Sequence, residues 1–195
     1  MLELNLYKNL IKGETIIKYP LQIVNNYEFS FETIDLLINI GLPRKIQPFI
    51  WFLSIDKGGF QRLGDYYFKI SNIEKQECIN EIIDELNKLV VIGKSNGNAI
   101  CFNDKKQLMW IDYEDLTEMS VNNSFEEFIE CIVCFNNFIN TITNKYGKSV
   151  KYYDFISQKD ILNLKKQLNS ICSGKLSESD FWISKLMFLE DKIKI

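Results

Sequence analysis

Hydrophobic positions recur along this chain with two periods, and the switch between them marks its elements. Residues 14–19 (Glu-Thr-Ile-Ile-Lys-Tyr), ended by Pro20, predict a short strand. Ser30 is placed to cap a helix over Phe31 to Ile40, with Phe31, Ile34, Leu37 and Ile38 on one stripe. Gly41 can take the left-handed conformation that ends a helix, and Pro43 cannot continue one. Phe49 to Ser54 predicts a strand, and so does Tyr66 to Ile70 after a turn at Gly64-Asp65. Ile73 to Leu86 fits a helix or a loop equally.

The middle of the chain reads more sharply. Leu89–Gly93, Ala99–Phe102 and Leu108–Asp112 are three apolar runs. Asn96-Gly97 between the first two is the dipeptide that a type I′ hairpin turn prefers. Asn103 to Gln107 joins the next two, so the three runs predict an antiparallel meander. The runs are near-continuous, which implies a sheet covered on both faces.

The period then changes to that of a helix. Asn123 or Ser124 opens it, each with a glutamate three positions on (Glu126, Glu127), the pattern of a capping box. Its buried stripe is Phe125, Phe128, Ile129, Ile132, Ile139 and Ile142, with Cys131 at the stripe's edge and Cys134 on the polar side. Ser157 with Asp160 opens a second helix carrying Ile161, Leu164, Leu168 and Ile171. Ser177 with Asp180 opens a last one carrying Trp182, Leu186, Leu189 and Ile193. The element order predicts one α+β domain over residues 1–195, a central antiparallel sheet wrapped by helices.

Composition narrows the chemistry. The chain has 195 residues and no histidine, so histidine-based triads, imidazole bases and histidine metal ligands are excluded. The cationic side chains are 21 Lys and 2 Arg, beside 28 Ile and 19 Asn. All three common types have AT-rich codons, which accounts for the bias without a functional demand. No apolar run reaches the roughly 20 residues of a membrane span. Met1-Leu-Glu-Leu-Asn lacks the basic and apolar regions of a signal peptide, so the expected location is the cytoplasm.

Five cysteines, an odd number in a chain read as cytoplasmic, do not predict a disulfide framework. Cys131-Ile-Val-Cys134 is a CxxC, but it lies inside a helical pattern rather than at a helix N-terminus, and no second pair completes a zinc site. Packing is the role expected of both thiols. Gly58-Gly59 and Gly93 belong to no phosphate-binding loop. Trp51, Trp110 and Trp182 lie within elements and are read as core.

Charge is uneven. Residues 1–72 carry a net +1, residues 73–135 a net -8 and residues 136–195 a net +4. An acidic middle argues against nucleic acid as its partner and fits a basic protein. Asp112, Glu114, Asp115 and Glu118 concentrate that charge at a strand end and the turn after it, so they are the candidate partner-binding residues. Two of the first three could also hold a hard cation such as Mg²⁺, although no second acidic cluster accompanies them. No cofactor is expected.

The helix ending in Gly41-Leu42-Pro43, then Pro48-Phe49, then Val91-Ile92-Gly93 with Ile100-Cys101-Phe102 after a turn, then Asn122-Asn123-Ser124-Phe125 with Phe128, form an ordered series. In that order and spacing it resembles the SUKH superfamily of bacterial immunity proteins, most closely its fourth group. Asp180-Phe181-Trp182 before the final helix resembles that group too. The likeness covers roughly residues 27–190; residues 72–88 and 145–160 do not align. The resemblance implies an α+β fold and a non-enzymatic role: binding and neutralising a cognate toxin, often a nuclease or deaminase. No catalytic residues are shared. The matching positions Gly41, Leu42, Pro43, Gly93, Asn122, Ser124 and Phe128 are expected to be structural. Two alternatives stand beside this reading. One is an interaction module of the same fold without a toxin target. The other is an enzyme using Asp112, Glu114 or Asp115 with a metal, or the CxxC as a redox pair.

Overall fold

The structure is a computed structural model describing residues 15–46, 50–66, 84–112, 115–147 and 152–193. Its centre is an antiparallel sheet of seven strands. Strands β3 (Lys45–Ile46), β4 (Ile50–Phe52), β6 (Val90–Ser95), β7 (Asn98–Phe102), β8 (Leu108–Ile111) and β9 (Glu118–Asn122) lie side by side in that order. β5 (Gln61–Arg62) also pairs with β6, end to end with β4 along the same edge. A separate two-stranded ribbon joins β1 (Ile16–Ile17) to β2 (Leu42–Pro43). This α+β arrangement is the fold class expected from the pattern.

The meander forms where the apolar runs predict it. Asn96 and Gly97 take positive φ of 53° and 92°, the type I′ turn their sequence favours. The β6–β7 register shifts between Val91 and Gly93, a bulge at Ile92. Beside it Gly93 is required by contact: a Cβ there would lie 2.7 Å from the Trp51 carbonyl oxygen of β4. β9 was not legible as a strand. Glu-Met-Ser-Val-Asn buries only its last two residues, so it lacks the apolar run that marked its neighbours.

The two faces of the sheet carry different cores. Val90, Ile92, Ile100, Phe102, Leu108 and Val121 face the larger one. It is built with α3 (Phe125–Tyr146), α4 (Gln158–Ile171) and α5 (Asp180–Ile193). α3 packs on α4, α4 on α5, and α5 on β9. The whole expected stripe of α3, Phe125 to Ile142, is buried. Cys131 is buried with it rather than lying at its edge, whereas Cys134 is half-buried. Ser124 caps α3 by accepting the Glu127 N–H at 3.1 Å, and Ser157 with Asp160 closes a full capping box on α4. Val91, Ala99, Cys101 and Ile111 face the smaller core, closed by Leu53, Leu63, Tyr66, Leu86 and Leu89.

Several expectations are corrected. Ser30 does cap α2 (Phe31–Asp35), but the chain continues as a π-helical segment, Leu36–Ile40, in which the Gly41 N–H donates to the Leu36 carbonyl at 2.7 Å. The extra residue in that turn changes the phase of the stripe. Leu36 and Leu37 are buried, while Phe31 is 80% exposed. Gly41 ends the segment at φ 85°, and a Cβ there would lie 2.5 Å from the Ile17 carbonyl oxygen. Tyr66 does not start a strand; residues 63–66 are helical. Residues 84–86 are helical, and the rest of 73–86 lies outside the described residues, as do 67–70. Ser177 is not the cap of the last helix: a 3-10 turn, Leu176–Glu178, intervenes. Ser179 takes the role, with the Trp182 N–H aimed at its hydroxyl at 3.5 Å.

Candidate functional site

The β8–β9 connection presents the carboxylates singled out from the sequence. Two backbone bonds close its described part: Asp112 N–H donates to the Thr117 carbonyl at 3.0 Å, and Leu116 N–H to the Asp112 carbonyl at 3.1 Å. Leu116 takes φ 60° and turns its side chain against the smaller core, which anchors the loop from below. Asp112 is half-buried and its Oδ2 accepts from Asn98 Nδ2 at 2.7 Å, so this carboxylate braces the hairpin as well as facing outward. Asp115 is exposed and accepts the Thr117 N–H at 2.9 Å. The Thr117 hydroxyl and backbone N–H hold its carboxyl below the usual range. Glu118 is exposed at the start of β9, opposite Ile111. Glu114 lies outside the described residues. Among those described, the candidate acidic side chains sit on one turn and its flanks. No group of three or more Cys, Asp or Glu among them is placed to hold a metal ion.

Two clefts flank the N-terminus of α3. The first, about 250 Å³, has an aromatic floor of Tyr27, Phe29, Phe102 and Phe125, with Arg62 and Lys88 at its rim. Arg62 lies 5.4 Å over the Tyr27 ring, and the Thr33 hydroxyl donates to Glu126 at 3.1 Å, so much of its polarity is internally satisfied. The second, about 300 Å³, runs between β8, β9 and the end of α4, bordered by Asn122, Glu127, Cys172 and Lys175.

Beneath the second cleft lies a buried polar network that the sequence did not reveal. The Trp182 indole N–H donates to Asn122 Oδ1 at 2.9 Å. An indole N–H can only donate, so the amide's orientation is set, and its Nδ2 must face the other way. There it meets two sulfurs, Cys131 Sγ at 3.6 Å and Cys172 Sγ at 3.7 Å. Those two sulfurs are themselves 3.7 Å apart. The CxxC is thus not a chemical pair: Cys134 turns to Gln167 Oε1 at 3.4 Å, with its thiol pushed up to about 11 by burial. Cys101 is fully buried on the opposite face of the sheet, where burial raises its thiol further.

The residues expected to be structural take such positions. Gly41 stops a helix, Leu42 and Pro43 are buried in β2 and pair with Ile17 and Ile16 of β1, and Gly93 admits β4. Ser124 caps α3, and Phe128 is buried between Phe52, Phe125 and Trp182. Asn122 holds the network just described. No helix among the described residues is long and apolar enough to cross a membrane. Comparison with known proteins returns no matching family model, no matching curated protein and no matching solved structure.

Proposed function

We infer that this chain is a cytoplasmic immunity-type protein that binds a cognate, basic protein toxin and neutralises it by occlusion rather than by chemistry. The observation that carries the reading is the β8–β9 turn: carboxylates of the most acidic third of the chain, on a hydrogen-bonded backbone, facing outward. An acidic turn of this kind steers a cationic partner toward it. Toxins that cleave or modify nucleic acid must hold phosphate, and a cationic surface for that purpose is what such a turn complements. The ordered SUKH-like motifs supply the class of partner.

The test is co-expression with the product of the neighbouring gene. Protection of the cells supports the reading. A purified complex then separates it from a general interaction module: titration at two salt concentrations should show affinity falling with salt. A triple variant, Glu114→Lys with Asp115→Lys and Glu118→Lys, should fold, associate more slowly and lose that salt dependence. Asp112 is left unchanged because of its bond to Asn98. Unchanged affinity and salt response would place the interface elsewhere, and failure to protect would remove the immunity role.

A further inference from the structure

The Cys131–Cys172 pair has the parts of a redox centre. Both thiols are buried, 3.7 Å apart, and come from different helices, α3 and the C-terminal cap of α4. The contact is not incidental packing of two small apolar groups, because a third side chain is built around it. Asn122 is buried, is oriented by the Trp182 indole, and aims its amide N–H groups at both sulfurs. Such donors favour a sulfur that carries negative charge over a neutral thiol. The pair is also unequal in access. Cys131 has no exposed surface, whereas Cys172 borders the second cleft, beside Lys175. That cleft is open to a water-sized reagent from solvent.

We propose that Cys131 and Cys172 form a reversible dithiol–disulfide site, oxidised by a hydroperoxide that reaches Cys172 through the cleft between β9 and the end of α4. Cys172 is the attacking group and Cys131 the resolving one. The hydrogen bond from the Cys131 thiol lowers the Cys172 thiol below its ordinary range, against burial and the nearby Glu127, and the Asn122 amide adds to the lowering. The Cys131 thiol is raised in turn by that bond and by burial, so it keeps its proton until the second step. In the first step the Cys172 thiolate attacks one peroxide oxygen. The O–O bond breaks, a sulfenic acid forms, and the departing oxygen leaves as water after taking the proton that Cys172 released. In the second, the Cys131 sulfur attacks the sulfenic sulfur, its proton joins the leaving hydroxyl, and a second water departs as the S–S bond forms. Two thiols are oxidised by two electrons, and one hydrogen peroxide is reduced to two waters. Closing 3.7 Å to the roughly 2 Å of a disulfide requires rotation of the two side chains toward each other at the C-terminal end of α4. A small dithiol reverses the reaction. The CxxC plays no part.

The experiment uses the full chain, reduced and then exposed to hydrogen peroxide. The protein is next denatured, blocked with a maleimide, and read by intact mass and peptide mapping. The expected product has lost two hydrogens, leaves two cysteines unblocked, and maps to a Cys131–Cys172 bridge that dithiothreitol removes. Cys134→Ser should form the same bridge at the same rate. Cys131→Ser should stop at a sulfenic acid on Cys172, trapped by dimedone. The wild-type result does not depend on whether any variant folds. Three outcomes overturn the proposal: a Cys131–Cys134 bridge, a Cys172 sulfinic acid with Cys131 still free, or both thiols remaining unoxidised at a peroxide dose that oxidises a small free thiol.

Discussion

One sheet supports two cores, and they are built differently. On the helix side, aromatic rings meet in a chain: Phe102, Phe125, Phe128, Trp182 and Phe135, with neighbouring ring centroids 5.4–6.4 Å apart. Phe102 belongs to β7, Phe125, Phe128 and Phe135 to α3 and Trp182 to α5, and a satisfied amide–indole bond ties α5 to β9. On the other side the sheet offers Val91, Ala99, Cys101 and Ile111, closed by Leu53, Leu63, Tyr66, Leu86 and Leu89. The first core is held by elements that also form their own hydrogen bonds. The second, among the described residues, is much the smaller and contains one aromatic ring, Tyr66. The helix side should therefore resist collapse around a deletion, and the opposite side should adapt.

That contrast is testable, beginning with its largest consequence. Phe128→Ala should cost about 4 kcal/mol, because its neighbours are fixed and the cavity stays open; urea unfolding measures it. Oxidation of the Cys131–Cys172 pair cross-links the helix side across a sequence separation of 41. It should stabilise the chain by roughly 3 kcal/mol through the unfolded state, seen as a rise in Tm that vanishes on reduction. Leu63→Ala, on the opposite face, should cost only about 2 kcal/mol, the low end for a buried leucine, because the turn can settle inward. A cost equal to that of Phe128→Ala would show the two cores to be equally rigid. Ser157→Ala removes the α4 capping box and should cost about 1 kcal/mol, with hydrogen exchange quickening in the first turn of α4 and leaving the sheet untouched.

The smallest effect is in acid. Each side has one carboxyl held below its ordinary range. Asp160 accepts from the Ser157 hydroxyl and N–H in the α4 box, and Asp115 accepts from the Thr117 hydroxyl and N–H. A carboxyl lowered in the fold contributes stability above its unfolded value and loses it as pH falls through the folded one. The contribution should be complete at neutral pH and disappear below the ordinary carboxylate range. Asp160→Asn and Asp115→Asn should each flatten that part of the acid-unfolding curve, and only slightly, because both groups face solvent.

The same division explains what could be read from residues alone. Helix α3 was legible because its stripe, its Ser124 cap and its glutamates all agree. The β6–β7 hairpin was legible because Asn96-Gly97 permits so few turns. β9 was not: it is an edge strand, and its outward residues are polar. The π turn after Asp35 was hidden because one inserted residue leaves composition unchanged, and the buried face, Thr33, Leu36 and Leu37, leaves Phe31 in solvent. The acidic turn could be located from charge density, yet the bond from Asn98 to Asp112 needed the hairpin register. The dithiol was invisible for a similar reason. Local spacing drew attention to Cys131 with Cys134, whereas the contact with Cys172 exists only after α4 folds back along α3.

The way β9 ends the sheet has a consequence for assembly. Its outer edge is occupied: the Ser179 hydroxyl donates to the Val121 carbonyl at 2.6 Å, and the Ser120 hydroxyl donates to the Glu178 carbonyl. A helix entry thus takes the place of a further strand. At the opposite margin β3 is two residues long and carries Lys45, a length and a charge that discourage another strand from joining. Among the described residues, the β9 and β3 margins both disfavour pairing with a further strand. On the proposed immunity role, recognition then runs through side chains on turns and helix faces, which can diverge in sequence without disturbing the backbone ladder beneath them.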